Sequence, residues 1–180
     1  MKSKTLSNIL TVFKVVKILA KVVFILCIVG GVGCLVALVT LPFVENLVPI
    51  ESLIEEGIEL SSTYPACVAG LIACVGEAIF AFMAERYFGN VLSAGTPFTL
   101  ESSKECFRLG LASIIISVAT AVVAGLAVPF IAILVQDASG FDIESTISLS
   151  TGLFFLFMSL IFKYVAELEA PTPEEPKQDE

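Results

Sequence analysis

One formal charge stands inside the apolar runs of this chain. Glu77 sits in the run 66–84, nine residues before Arg86. That places it roughly 13 Å of helix rise from the inner boundary, close to the middle of a bilayer. An acid at that depth costs about 2.5–3.5 kcal/mol on insertion scales, so it needs a reason to be there. Its neighbours one and two helical turns away, Ala73, Cys74, Ala81 and Ala84, are all small. This face therefore meets another helix. Ser117 and Thr120 lie at a similar depth in the third apolar run and are the expected hydrogen-bond partners. Two chemistries follow. A neutral Glu77 can tie helices together by a hydrogen bond, or Glu77 can be the proton or cation site of a small transporter or channel subunit.

Other reactive side chains are few. The five cysteines are Cys27, Cys34, Cys67, Cys74 and Cys106, and two pairs are spaced by seven residues. Four of them lie within or at the edge of apolar runs, where a thiol acts as a small apolar group. No disulfide framework is expected from that placement. The chain contains no histidine. That excludes a Ser-His-Asp triad and histidine metal ligation. Gly30, Gly31 and Gly33 lie inside an apolar run, so they form no phosphate loop. No metal, cofactor or catalytic residue is expected, and the chain reads as a non-enzyme.

Two polar stretches stand out. Residues 94–99 read as a turn, after which Thr99 or Ser102 caps a helix with Glu101 or Glu105 in its first turn. Gly95, Pro97, Phe98, Thr99, Glu101, Lys104 and Arg108 make this turn the candidate cytoplasmic docking loop. Glu51, Glu55 and Glu59, spaced by four, give the connection 42–65 an acidic helical face opposite Ile50, Leu53, Ile54 and Ile58. A short amphipathic helix on the outer leaflet is expected there. Its plain reading is a solvated face; the sharper one is a surface that attracts cations or a partner. At the start of the chain, Ser7, Thr11, Lys14, Lys17 and Lys21 recur every three or four residues among apolar ones. This amphipathic stretch should run into the first span with its lysines at anionic headgroups.

The elements that position these groups follow from hydropathy. A mean hydropathy of +0.96 and 57% hydrophobic residues are not those of an ordinary soluble domain. Four runs, about 22–41, 66–84, 109–135 and 147–162, are near the roughly 20 residues that cross a bilayer as helices. The first run, twice the length of a signal core, reads as an uncleaved helix. Every Lys and Arg falls on one side of these runs: five before the first, three between the second and third, two after the fourth. The other two connections, 42–65 and 136–146, hold eight acids and no base. By the positive-inside rule both termini are cytoplasmic. The fold class is all-α: a polytopic membrane protein of four transmembrane helices with one short extracytoplasmic amphipathic helix. Residues 1–169 form a single domain, and the proline- and acid-rich 170–180 a disordered tail. Small residues at four-residue steps mark packing faces: Ala66, Gly70, Cys74 and Ala78, then Ser113, Ser117, Ala121 and Gly125. Pro65 is expected to open the second span and Pro129 to bend the third. The net charge of -8 argues against direct nucleic-acid binding.

Gly95-Thr96-Pro97-Phe98-Thr99-Leu100-Glu101-Ser102, followed by Arg108-Leu109-Gly110, resembles the YoaS-like bacterial membrane proteins, a family of unknown function. Their corresponding stretch reads G-x-P-F-[ST]-x-E-N and leads through a basic residue into a third span. Phe162 to Glu169 is similar to that family's exit from the fourth span. The likeness covers roughly residues 70–169. The chain departs from it at Ala170-Pro171-Thr172-Pro173, where the family carries an acidic, D-L-T-like ending. The resemblance implies a regulatory or signalling role at a bacterial membrane. Together these readings give a bacterial inner-membrane protein that works through contacts with a protein partner or further copies of itself, with the lipid bilayer as its solvent.

Overall fold

The computed structural model describes residues 4–47, 60–135 and 149–169. Within them the chain is four helices: α1 (Lys4–Leu47), α2 (Leu60–Ala94), α3 (Leu100–Val135) and α4 (Leu149–Glu169). Each contains a stretch long and apolar enough to cross a membrane: Ser7–Phe43, Thr63–Ala94, Leu100–Ile131 and Ser150–Leu168. The protein is a multi-pass membrane protein. The acidic face Glu51, Glu55 and Glu59, the connection 136–148 and the tail 170–180 lie outside the described residues.

The helices run further than the apolar windows. Hydropathy stops at the first charge, whereas backbone hydrogen bonds continue through Arg86 to Ala94. At 44 residues, α1 is about 66 Å long, twice the roughly 30 Å of bilayer hydrocarbon. Its lysine stretch and its membrane stretch are one unbroken helix. Pro65 lies inside α2, a turn past its start, and α3 continues through Pro129 to Val135.

Packing is sequential. α1 packs along α2, α2 along α3, and α3 along α4. A buried cluster gathers at the ends of α2 and α3 nearest the turn between them. There Ala84, Tyr87, Phe88, Val91, Cys106, Leu109 and Phe162 are joined by Phe13, Val16 and Ala20 of α1. On α3 the buried small residues are Cys106, Gly110, Ser113, Ser117, Thr120 and Ala124, alternating steps of three and four. Ala121 and Gly125 are exposed, which corrects the expected four-residue stripe. Four residues turn a helix by 400°, so a strict four-step row drifts about 40° per turn away from a straight seam. On α2 three of the four expected members, Gly70, Cys74 and Ala78, do face α1.

The α3–α4 seam fixes the height of α4. Gly110 backs onto Gly152: a Cβ at Gly110 would stand 2.9 Å from the Leu156 nitrogen and 3.0 Å from the Gly152 oxygen. One end of the seam is closed by two reciprocal hydrogen bonds, Ser103 Oγ to Ser159 O (2.9 Å) and Ser159 Oγ to Ser103 O (3.0 Å). The Cys106 thiol donates to the Phe155 oxygen between them (3.3 Å). This register sets Phe154 level with Arg108, and Lys163 level with Thr99. α4 is thus drawn toward the turn, and its outer face shares the height of the charged ends of α2 and α3.

Candidate functional site

Glu77 is half-buried on α2 and faces α1. The buried Cys27 thiol donates to Glu77 Oε2 at 3.7 Å, a long sulfur contact. Around it the two helices exchange thiols for glycines. A Cβ at Gly30 would stand 3.3 Å from Cys74 Sγ, and one at Gly70 would stand 3.2 Å from Cys34 Sγ. The seven-residue spacing of both cysteine pairs is the spacing of this seam. Small side chains let α1 and α2 approach closely, and that approach brings Cys27 to Glu77.

Ser117 and Thr120 are buried at the expected depth, and Thr120 serves another contact. The Thr120 hydroxyl lies over Gly76, where a Cβ would stand 2.8 Å away. Gly76 and Glu77 are one residue apart and so about 100° apart around the helix. Glu77 therefore looks to α1, while α3 covers its neighbour. This corrects the expected partners: Cys27 takes the place of Ser117 and Thr120. Its sequence signal was the cysteine spacing, which marks the face of α1 that meets α2. A groove of about 490 Å³ flanks the seam, lined by Phe24, Ile28, Leu35, Leu71 and Phe82 among others. Among the described residues, no group of three His, Cys, Asp or Glu is placed to hold a metal ion.

The inner turn is a built structure. Gly95 takes a left-handed conformation (φ 73°), and its N–H closes the last turn of α2 on the Val91 oxygen (3.1 Å). The Phe98 N–H donates to Thr96 Oγ1 (3.2 Å). Thr99 caps α3, accepting the Ser102 N–H on its hydroxyl oxygen at 3.0 Å. Glu101 sits in the first turn, where the helix dipole favours an acid. The docking-loop residues divide into two groups. Pro97 is fully buried and Phe98 sets its ring against Phe162 at 5.8 Å and 76°. Glu101, Lys104 and Arg108 are exposed. Pro97 and Phe98 thus plug the core and hold the turn on α4, leaving the charged residues to present the surface.

The seam residues Ser103, Gly110, Gly152 and Ser159 were missed by sequence reasoning. Their signal was present as Ser103, Cys106, Gly110, Ser113 and Ser117, small residues in alternating three- and four-residue steps. No family model, curated protein or solved structure matches this chain.

Proposed function

We propose that this chain is a non-enzymatic integral membrane protein of a bacterial inner membrane that acts through protein contacts, as a regulatory or accessory subunit of a membrane complex. The outer face of α4 carries the proposal. Leu153, Phe157, Leu160 and Tyr164 form an apolar stripe at heptad spacing, with Phe157 64% and Leu160 62% exposed. The α3–α4 register puts this stripe at the height of exposed Lys104 and Arg108. Hydrocarbon does not solvate that charged band, so the stripe beside it meets headgroups in place of acyl chains. A partner helix laid along the stripe would cover it there. Cytoplasmic placement of this end follows the lysine and arginine bias, and the likeness of residues 95–102 to the YoaS-like proteins agrees with a regulatory role.

A benzophenone amino acid placed at Phe157 or Leu160 tests this in native membranes. A discrete protein adduct is expected from both positions and none from Ile115 or Phe130, which are exposed on α3. Lipid adducts alone at all four positions would remove the reading. A mass of two chains would identify the partner as a second copy.

The Glu77–Cys27 contact favours one alternative, a proton- or cation-coupled subunit. Under the contact reading, Glu77→Gln keeps the chain folded and leaves proton flux across liposomes at the lipid background. Flux in the original chain that the Gln variant abolishes would establish the transport reading instead.

A further inference from the structure

We propose that the groove between α2 and α3 near the turn is a binding site for the phosphate of an anionic lipid, held by Arg86 and Arg108. The groove has a volume of about 380 Å³. Phe82, Met83 and Leu109 line its membrane side; Arg86, Arg108, Asn90 and Glu105 line its polar side. The hairpin brings the two arginines together from different helices. Both are exposed, and among the described residues neither forms an ion pair or a hydrogen bond.

Carboxylates are at hand, which makes the unpaired state informative. Glu85 precedes Arg86, and Glu105 stands one turn before Arg108. Glu105 is turned away to the Asn90 amide, whose Nδ2 donates to it at 2.8 Å. Two guanidinium groups thus share one groove with a single engaged carboxylate. Each presents a planar fork that fits two phosphate oxygens. Tyr87 also lines the groove.

The position selects a lipid over a free anion. Arg86 and Arg108 stand at the ends of apolar runs, the height at which headgroups lie. The groove is apolar toward the hydrocarbon and basic toward the headgroup layer, and exposed Phe82 offers a flat wall for an acyl chain. Basic pockets between membrane helices on one leaflet suit such headgroups.

Native mass spectrometry of the full chain in detergent, titrated with phosphatidylglycerol or phosphatidylcholine, tests the assignment. One phosphatidylglycerol should be retained and phosphatidylcholine should not. R86Q/R108Q should lower retention about tenfold or more, as two basic contacts at about 1 kcal/mol each require. R86K/R108K should keep part of it, and K104Q, outside the groove, should keep all of it. Equal retention by R86Q/R108Q, or equal retention of the two lipids, overturns the site. Full displacement of the lipid by millimolar inorganic phosphate overturns the lipid as its ligand and leaves a plain anion site. Should the double variant fail to elute as the original chain does, R86Q and R108Q are measured singly, and unchanged retention in both overturns the proposal.

Discussion

Gly110→Ala will destabilise the folded chain by about 1–3 kcal/mol, whereas Gly125→Ala on the same helix will leave it unchanged or strengthen it by up to about 1 kcal/mol. Alanine is the better helix former at both positions, so propensity alone predicts a gain at each. Surroundings separate them. At Gly110 the new methyl meets the Leu156 nitrogen at 2.9 Å and the Gly152 oxygen at 3.0 Å. Those are backbone atoms of α4, and they yield only if the whole helix moves outward. That movement would stretch both Ser103–Ser159 hydrogen bonds. Nothing stands within 4 Å of a Cβ at Gly125. Gly152→Ala should behave like Gly110→Ala, since its methyl would meet Ile114 Cγ1 at 2.5 Å. Graded detergent denaturation read by pulse proteolysis measures all three. Similar changes at Gly110 and Gly125 would show that the α3–α4 seam is not where the structure puts it.

Phe162→Ala will cost about 3–5 kcal/mol, the range for emptying a buried aromatic site. Phe162 is 6% exposed and sits where α2, α3, α4 and the inner turn meet. Its loss also deprives Phe98 of an edge-to-face contact worth about 0.5–1.5 kcal/mol. The turn should then loosen, with faster amide exchange at Phe98 and Ser102, whose N–H groups are bonded within it. Phe157→Ala is the matched control on the same helix. At 64% exposed, that side chain should change monomer stability in detergent by no more than about 0.5 kcal/mol. The same change should weaken adduct formation from Leu160 in membranes, because Phe157 belongs to the contact stripe. A large loss of monomer stability from Phe157→Ala would place that face inside the fold and end the contact proposal.

Much of this was legible in the residues. Four apolar runs announced four helices, because hydrocarbon leaves the backbone no other local partner. The small neighbours of Glu77 announced that its face meets a helix. Which helix was not legible. Facing residues of two helices are set by register, and register emerges from the summed fit of small side chains along the seam. The turn at Gly95 and the cap at Thr99 were readable, since both are local geometry. That Pro97 and Phe98 point inward was not, since it depends on α4 arriving at that height. The height of α4 was itself hidden. It rests on Gly110 meeting Gly152 and Ser103 meeting Ser159, residues more than forty positions apart. The four-step rule held for Gly70, Cys74 and Ala78 on α2 and failed on α3 at Ala121, over the same two steps, so the spacing alone does not say which row will pack.

The order in which ribosomes deliver these helices gives the Cys27–Glu77 contact a further meaning. Chains emerge from the amino end, so α1 is synthesised before α2. Cys27 can already be resident when the acid arrives, with Gly30 and Gly31 offering an indentation beside it. Glu77 can then slide in along a prepared neighbour without first facing bare acyl chains. The first helix, made earlier, thus stands as a packing partner for the most expensive side chain of the second.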